Sequence, residues 1–182
     1  MTPAGRLSPA AAPEYPVIVA ATEHSFDVVS EFDRQELVNA VQQAQREIAT
    51  RYDFKDVTAE LTLGDDAITV LTSSEGRAQA VLDVLQSKLV RRGLSLKILR
   101  PGKVEPAAKG NVRQLLALQR GIDEELARSL VKRVRAGHPK VQVRIQGDEL
   151  RVSSKDKDNL QAVIQELRAF EAPVPLQFTN YR

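Results

Sequence analysis

Few side chains in this sequence have the types and spacing that catalysis requires. The chain has no cysteine, which excludes disulfides, thiolate nucleophiles and cysteine-ligated metals. Its two histidines are His24, near the N-terminus, and His138, in a Gly-His-Pro turn where a solvated residue is far commoner than a base or ligand. The acidic pairs Asp65-Asp66 and Asp148-Glu149 lie in predicted turns, which explain them without catalysis. The sequence therefore predicts a protein that is not an enzyme and needs no cofactor or metal.

A basic, hydrogen-bonding set of residues in the second half is the strongest candidate for binding. Guanidinium groups bond phosphate through two parallel N–H donors, and strands hold such side chains in fixed positions. We expect a nucleotide to contact this set, which comprises Lys109, Arg113, Gln142, Arg144 and Arg151. Arg113 and Arg151 are expected on adjacent central strands of one open sheet face. Two other interpretations stay open, namely packing of this face against the other half of the chain and simple solvation.

Basic residues also recur on a predicted helix. Arg128, Lys132 and Arg135 follow helical spacing, a pattern that is more often a solvated helix face than a polyanion site. Charge is uneven along the chain as well. Residues 23–100 carry ten Lys and Arg against thirteen Asp and Glu, whereas residues 111–182 carry thirteen against nine. The second half is therefore the electropositive part.

The helices and strands that position these residues follow one pattern, which occurs twice in the chain. Residues 33–89 and 123–167 both show the pattern helix, strand, tight turn, strand, helix. One further apolar stretch flanks each pattern on either side: 25–32 and 94–100 for the first, 111–120 and 173–181 for the second. The unit is β-α-β-β-α-β. The predicted fold class is α+β, with two tandem ferredoxin-like domains, each a four-stranded antiparallel sheet backed by two helices. Exchange of flanking strands between the domains is possible, because periodicity does not detect it.

Apolar stripes and alternation define the expected cores. Each helix carries one apolar stripe, for example Leu37, Val41, Ala44 and Ile48 on the first. Each strand alternates, so one sheet face lies under helices and the other is open. We expect the covered face of the second domain to include Val143, Ile145, Val152 and Leu176. Truncation of Ile145 to alanine would then cost about 2–5 kcal/mol, whereas Arg144 would tolerate it.

Length and composition set the domain boundaries and the location. The 182 residues are 42% apolar and 27% charged, which is globular composition without a membrane-spanning run. We expect a first domain at 25–104 and a second at 105–182. Residues 1–24 are rich in Pro and Ala, lack the basic start of a secretory signal, and are predicted to be a poorly ordered extension. The absence of cysteine fits a cytoplasmic location.

Four separated motifs carry a resemblance to a known family. The stretches SFDVVSEFDRQELVNAV, RYDFKDV, IQGDELRVSSKDKDNLQAVI and LQFTNYR resemble the YajQ family of bacterial nucleotide-binding proteins, and the similarity covers residues 25–182. The resemblance implies two ferredoxin-like domains in a cytosolic protein that binds nucleotides, in some members cyclic di-GMP with a signalling role. It implies no catalytic activity.

The RYDFK motif adds a second group of candidate ligand contacts. Its polar residues Arg51, Asp53 and Lys55 lie at a helix-to-strand corner, and we take Arg51 and Lys55 as candidate nucleotide contacts. The competing interpretation is structural. In that case Tyr52 and Phe54 close the first core, and Asp53 only satisfies backbone amides.

Two function hypotheses follow from these patterns. The first is a non-enzymatic nucleotide-binding protein, which senses GTP or cyclic di-GMP and acts through contacts with a partner. The alternative is an RNA- or ribosome-associated module that uses phosphate contacts, in particular from the basic segment 88–113. The open faces carry no Phe or Tyr on which RNA bases would stack, which disfavours the usual sequence-reading mode of this fold.

Overall fold

A computed structural model of the chain describes residues 22–182. Most of the predicted extension 1–24 lies outside the described residues. Eight strands and four α-helices follow one another within the described part. Their order is β1 (His24–Val29), α1 (Arg34–Thr50), β2 (Ala59–Leu63), β3 (Ala67–Thr72), α2 (Glu75–Arg91), β4 (Leu99–Pro106), β5 (Val112–Leu118), α3 (Glu124–Gly137), β6 (Gln142–Gln146), β7 (Glu149–Ser154), α4 (Lys157–Ala169) and β8 (Gln177–Thr179).

The strands form two four-stranded antiparallel sheets, which confirms the predicted α+β class. The first sheet has the order β2-β3-β5-β4, and the second has the order β6-β7-β1-β8. We call the first sheet with α1 and α2 the first unit, and the second sheet with α3 and α4 the second unit. Within residues 22–182 each unit has its own hydrophobic core, and the two cores share no residue.

Two flanking strands are exchanged between the units. β1 pairs with β7 and β8 in the second sheet, although the sequence places it in the first repeat. β5 pairs with β3 and β4 in the first sheet, although the sequence places it in the second repeat. Each sheet therefore contains one strand from the other side of the predicted boundary between 25–104 and 105–182. The local pattern does not decide this, because the periodicity of a strand does not show which of two cores its apolar residues enter.

The predicted apolar stripes of the helices are confirmed. The buried residues of α1 are Leu37, Ala40, Val41, Ala44 and Ile48. Asp33 caps this helix, because its carboxylate accepts hydrogen bonds from the backbone N–H groups of Gln35 at 2.8 Å and Glu36 at 3.1 Å. The carboxylate of Glu36 lies 3.5 Å from the guanidinium of Arg92 at the end of α2, and this ion pair links the two helices of the first unit.

Two core residues were predicted wrongly. Ile145 shares the covered face of the second sheet with Val143, so the register is right, but its side chain is 45% exposed. It lies one residue before the end of an edge strand, beyond the cover of the helices. Its truncation therefore costs less than the burial argument predicts. Tyr52 is 88% exposed, whereas Phe54 alone closes the first core at this corner.

Hydrogen bonds fix the segments in which the chain passes between the units. The N–H of Gly121 donates to the carbonyl of Ser30 at 2.7 Å, so the two connecting segments are bonded to each other. Glu31 and Gln177 exchange two hydrogen bonds, at 2.8 and 3.0 Å, between the end of β1 and the start of β8. Gly121 has φ +78°, and a Cβ there would lie 2.6 Å from a carboxylate oxygen of Asp148. The chain therefore needs glycine at this crossing.

Candidate functional site

The structure places the seven predicted contact residues in three separate regions. Gln142, Arg144 and Arg151 lie together on the open face of the second sheet, as their alternation predicts. Arg113 lies in the first sheet between Leu71 and Glu105, so the prediction that it neighbours Arg151 is wrong. The other three residues also belong to the first unit. Lys109 lies in the connection between β4 and β5, and Arg51 and Lys55 follow α1.

Arg151 is held by a buried carboxylate of β1. Its guanidinium donates two hydrogen bonds to Asp27, at 2.9 and 3.0 Å, and the amide of Asn180 donates a third at 2.9 Å. Asp27 is only 3% exposed. The hydrogen bond from Arg151 holds the pKa of the Asp27 carboxyl below its usual value. Because β1 crosses into the second sheet, Arg151 has an intramolecular anion, and its first role is to pair with that carboxylate.

This pair makes stability depend on acid pH. A carboxyl whose pKa is lower in the folded state stabilises the protein above its unfolded-state value of 3.8, and this contribution is lost as pH falls through the lowered folded-state pKa. We expect Asp27→Asn to destabilise the protein at pH 7 and the difference from wild type to shrink below pH 4. Urea unfolding at pH 7, 4 and 2.5 measures it. Asp65→Asn, in the exposed turn between β2 and β3, is the matched control, and equal pH profiles for both variants would contradict the assignment.

The corner after α1 is also paired internally. The guanidinium of Arg51 donates hydrogen bonds to both carboxylate oxygens of Asp53, at 2.9 and 2.7 Å, and lies 5.4 Å from the ring centre of Phe54. The hydrogen bond raises the pKa of Arg51 and lowers that of Asp53. Lys55 next to it is exposed. The geometry favours a structural role for Arg51, so this corner offers a ligand less free charge than its sequence indicates.

A groove between α3 and β6 brings the basic stripe of α3, for which the sequence favours solvation, beside Arg144, which is one of the predicted contact residues. We call it the basic groove; its volume is about 800 Å³, and it is lined by Arg128, Val131, Lys132, Arg135, Val143, Arg144 and Ile145. Arg128 pairs with Glu124 one helical turn earlier. No ion pair within residues 22–182 involves the other three cations. The helical spacing of the stripe was visible in the sequence, but its position beside β6 was not.

A second cavity lies where both ends of the described chain meet α4. We call it the terminal pocket; its volume is about 410 Å³, and it is lined by Thr22, His24, Ser25, Phe26, Lys157, Leu160, Gln161, Ile164, Tyr181 and Arg182. Ser25 and Arg182 exchange backbone hydrogen bonds of 3.1 and 2.9 Å, which hold the C-terminal residues beside β1. Sequence reasoning missed this pocket, because its lining comes from segments more than 130 residues apart.

The terminal pocket combines an aromatic wall, an apolar floor and cations. Tyr181 is 58% exposed, and its ring centre lies 6.1 Å from that of the buried Phe26. Leu160 and Ile164 of α4 form the floor. Lys157 and Arg182 carry positive charge, and the lining contains no Asp or Glu side chain. This combination suits a flat ring that bears an anionic group.

A third cavity, of about 500 Å³, lies between the two units and has the opposite charge. Its lining includes Glu31, Asp33 and Glu36 against the single cation Arg92. Three carboxylates repel a phosphate, so this cavity does not suit a nucleotide. In the same described part of the chain, no three His, Asp or Glu side chains are grouped so that they could hold a metal ion. Likewise, none of its helices is long and apolar enough to cross a membrane.

Comparison with known proteins assigns the chain to a family. The model of the YajQ-like nucleotide-binding proteins matches residues 24–182. The chain belongs to this family. A nucleotide-binding protein of Synechococcus elongatus is 57% identical over 162 residues, which cover 89% of this chain and 99% of the relative. Nucleotide-binding proteins of Chloroflexus aggregans and Roseiflexus castenholzii are 55% and 54% identical, over 88% of this chain and 98% of each relative.

The YajQ-like match confirms the resemblance that the four motifs indicate. It covers both units and excludes only the first 23 residues. The family and these relatives are named as nucleotide-binding proteins and not as enzymes. All lining residues of the terminal pocket except Thr22 lie inside the matched range, as does the whole basic groove.

Proposed function

We propose that this YajQ-like protein binds a nucleotide in the terminal pocket and does no catalysis. The observation that carries the proposal is the convergence of an exposed tyrosine, an apolar floor and two cations without an opposing carboxylate. A volume of about 410 Å³ also falls in the usual range of small-molecule sites. The family membership supports the ligand class.

Each part of a nucleotide has a matching group in the pocket. The base stacks on Tyr181 and covers Leu160 and Ile164, since a purine offers a flat apolar face. The phosphate reaches Lys157, at the first position of α4, and Arg182. The helix dipole adds to the attraction at the N-terminus of α4. The amide of Gln161 is both donor and acceptor, which suits the polar edge of guanine.

The ligand that we propose is a guanine nucleotide of the GTP or cyclic di-GMP class. This choice rests on the family resemblance together with the amide of Gln161. We further propose that the protein is cytoplasmic and acts as a sensor. The bound nucleotide would hold Tyr181 and Arg182 against β1 and thereby change the surface that the second unit presents to a partner there. Gln142 and Arg144 on the open face remain the alternative place for the phosphates.

Calorimetry with GTP, cyclic di-GMP and ATP tests the proposal. Tyr181→Ala should weaken binding by about 1–3 kcal/mol, because it removes the stacking surface. Lys157→Gln should weaken binding and flatten its dependence on salt, because it removes a phosphate contact. Tyr52→Ala is the matched control, since this tyrosine is more exposed than Tyr181 and belongs to the first unit.

Two results would contradict the proposal. Absence of binding of all three nucleotides below millimolar concentration would contradict the function. Binding that survives Tyr181→Ala and Lys157→Gln but is lost in Arg144→Ala would move the ligand to the open face of the second sheet. In that case the sequence-based choice of Arg144 would be right and the terminal pocket would be wrong.

RNA binding through phosphates is the second candidate. The observation that favours it is a set of exposed cations within the basic segment 88–113, namely Arg91, Lys97, Arg100, Lys103, Lys109 and Arg113. These residues are dispersed: Arg100 and Arg113 lie on the open face of the first sheet, whereas Lys103 lines a cleft with Glu75. A filter-binding titration from about 50 to 200 mM salt separates the candidates, since contacts to many phosphates give a steep loss of affinity.

A further inference from the structure

We propose that the basic groove is a docking site for an extended acidic segment of a partner protein, which adds to the second sheet as a strand beside β6. The proposal does not depend on the nucleotide pocket, which shares no lining residue with the basic groove. A free strand edge, an exposed apolar floor and unpaired cations carry it together.

The free edge is the outer side of β6, the outermost strand of the second sheet. A two-residue turn follows β6, so Gln146 next to the turn is in a hydrogen-bonded pair with Glu149. Hydrogen-bonded pairs alternate along an antiparallel ladder, so the backbone groups of Gln142, Arg144 and Gln146 bond to β7. The backbone N–H and C=O groups of Val143 and Ile145 therefore point away from the sheet. These two residues also line the basic groove, so an incoming strand would find its hydrogen-bonding partners there.

The apolar floor explains the unexpected exposure of Ile145. Its side chain is 45% exposed on the face that the helices cover elsewhere, and Val131 of α3 lies in the same groove. Side chains of a strand alternate between the two faces. Every second residue of an added strand would therefore lie on Ile145 and Val131 and bury them.

The cations select an acidic partner. Lys132 and Arg135 project from α3, and Arg144 projects from β6 itself, with no ion pair for any of them among residues 22–182. Like charges on two rigid elements repel each other, and an anionic neighbour relieves the repulsion. Of the partner residues that face α3, those over Ile145 and Val131 should therefore be apolar and those beside Lys132 and Arg135 acidic, and the residues on the open face, beside Arg144, should be acidic.

Other occupants fit the basic groove less well. A second copy of the chain would bring the same cations against each other. The first 21 residues of this chain contain a single acidic residue, Glu14, so they are not an acidic segment. RNA would meet the cations, but the groove lining has no aromatic side chain for base stacking, and the outward backbone groups of β6 would stay unused.

The test uses a fluorescein-labelled octapeptide with Val at positions 3 and 5 and Glu at the other six, so that one face carries both Val residues and flanking Glu residues. Binding is followed by fluorescence anisotropy. We expect Lys132→Glu combined with Arg135→Glu to weaken binding at least about tenfold, whereas Lys97→Glu, on the first unit, leaves it unchanged. Ile145→Pro removes the outward N–H without removing a bond to β7, and proline is tolerated on such an edge. It should weaken binding clearly more than Ile145→Ala, which loses only the side chain.

A measurement on the unsubstituted protein accompanies the variants. The peptide should slow hydrogen exchange of the Val143 and Ile145 amides, whether or not the proline variant folds. A twelve-residue oligouridylate serves as the RNA arm. The proposal is overturned if these amides exchange at the same rate with and without peptide, if Ile145→Pro and Ile145→Ala bind the peptide equally, or if the oligouridylate binds and the peptide does not.

Discussion

Replacement of Phe26 by alanine is expected to lower the free energy of unfolding by about 3–5 kcal/mol. Phe26 is fully buried in the core of the second unit, where its ring lies 5.9 Å from Phe178 and 6.1 Å from Tyr181. The loss combines the transfer of a large apolar side chain to water with an unfilled cavity. Because β1 belongs to the second sheet, the damage should appear there and not in the first unit.

Native-state hydrogen exchange measures where this loss occurs. In Phe26→Ala the amides of β6 and β7 should lose protection, while those of β2 and β3 keep it. Leu116→Ala is the mirror-image control, since Leu116 is buried in the first core although the sequence places its strand, β5, in the second repeat. It should cost about 2–5 kcal/mol and expose the amides of β2 and β3. If Phe26→Ala instead loosened β2 and β3, the exchange of strands between the units would be wrong.

Reversal of the charge at Arg151 is expected to lower the melting temperature by several degrees and leave nucleotide binding intact. The new carboxylate would face Asp27, which is 3% exposed and would lose its bidentate partner. A buried carboxylate without its cation is costly, and a second carboxylate beside it adds repulsion. The nucleotide should still bind, because the proposed pocket does not include Arg151.

Thermal unfolding and calorimetry of Arg151→Glu decide between two roles of the open face. Arg144→Glu is the matched control, because Arg144 is the cross-strand neighbour of Arg151 but is exposed and has no ion pair in the described residues. It should melt close to wild type. A double variant, Asp27→Asn with Arg151→Gln, should lose less stability than the two single changes added together, since the residues act as a pair. An unchanged melting temperature with lost nucleotide binding would show that Arg151 is a ligand contact.

Local pattern was sufficient for the elements and for most of the core. The helical stripes and the strand alternation depend on neighbours within a few residues, so periodicity and residue type predict them. The two errors, Tyr52 and Ile145, lie at the ends of elements. At these ends the apolar pattern continues in the sequence, but the helix or sheet that would cover the side chain has already ended.

The candidate site depended on contacts that no local pattern encodes. Arg151 had the right type and the right face, yet its partner Asp27 is 124 residues away and reaches it only because β1 crosses into the second sheet. The sequence shows that the stripe on α3 is basic and favours a solvated face. Only the packing of α3 on β6 brings Arg144 beside it.

The sequence by itself determined the class of the protein, the two repeated units, their secondary structure and the family. These properties follow from short-range periodicity, which the chain repeats twice, and from separated motifs that survive without any knowledge of packing. Only the tertiary structure decided which sheet β1 and β5 join, and therefore which charges are already paired and where the chain ends enclose a pocket. The physical reason is that an amphipathic strand can be buried equally well on either core. Its choice depends on the length and path of the connections between the units, which residue types alone do not encode.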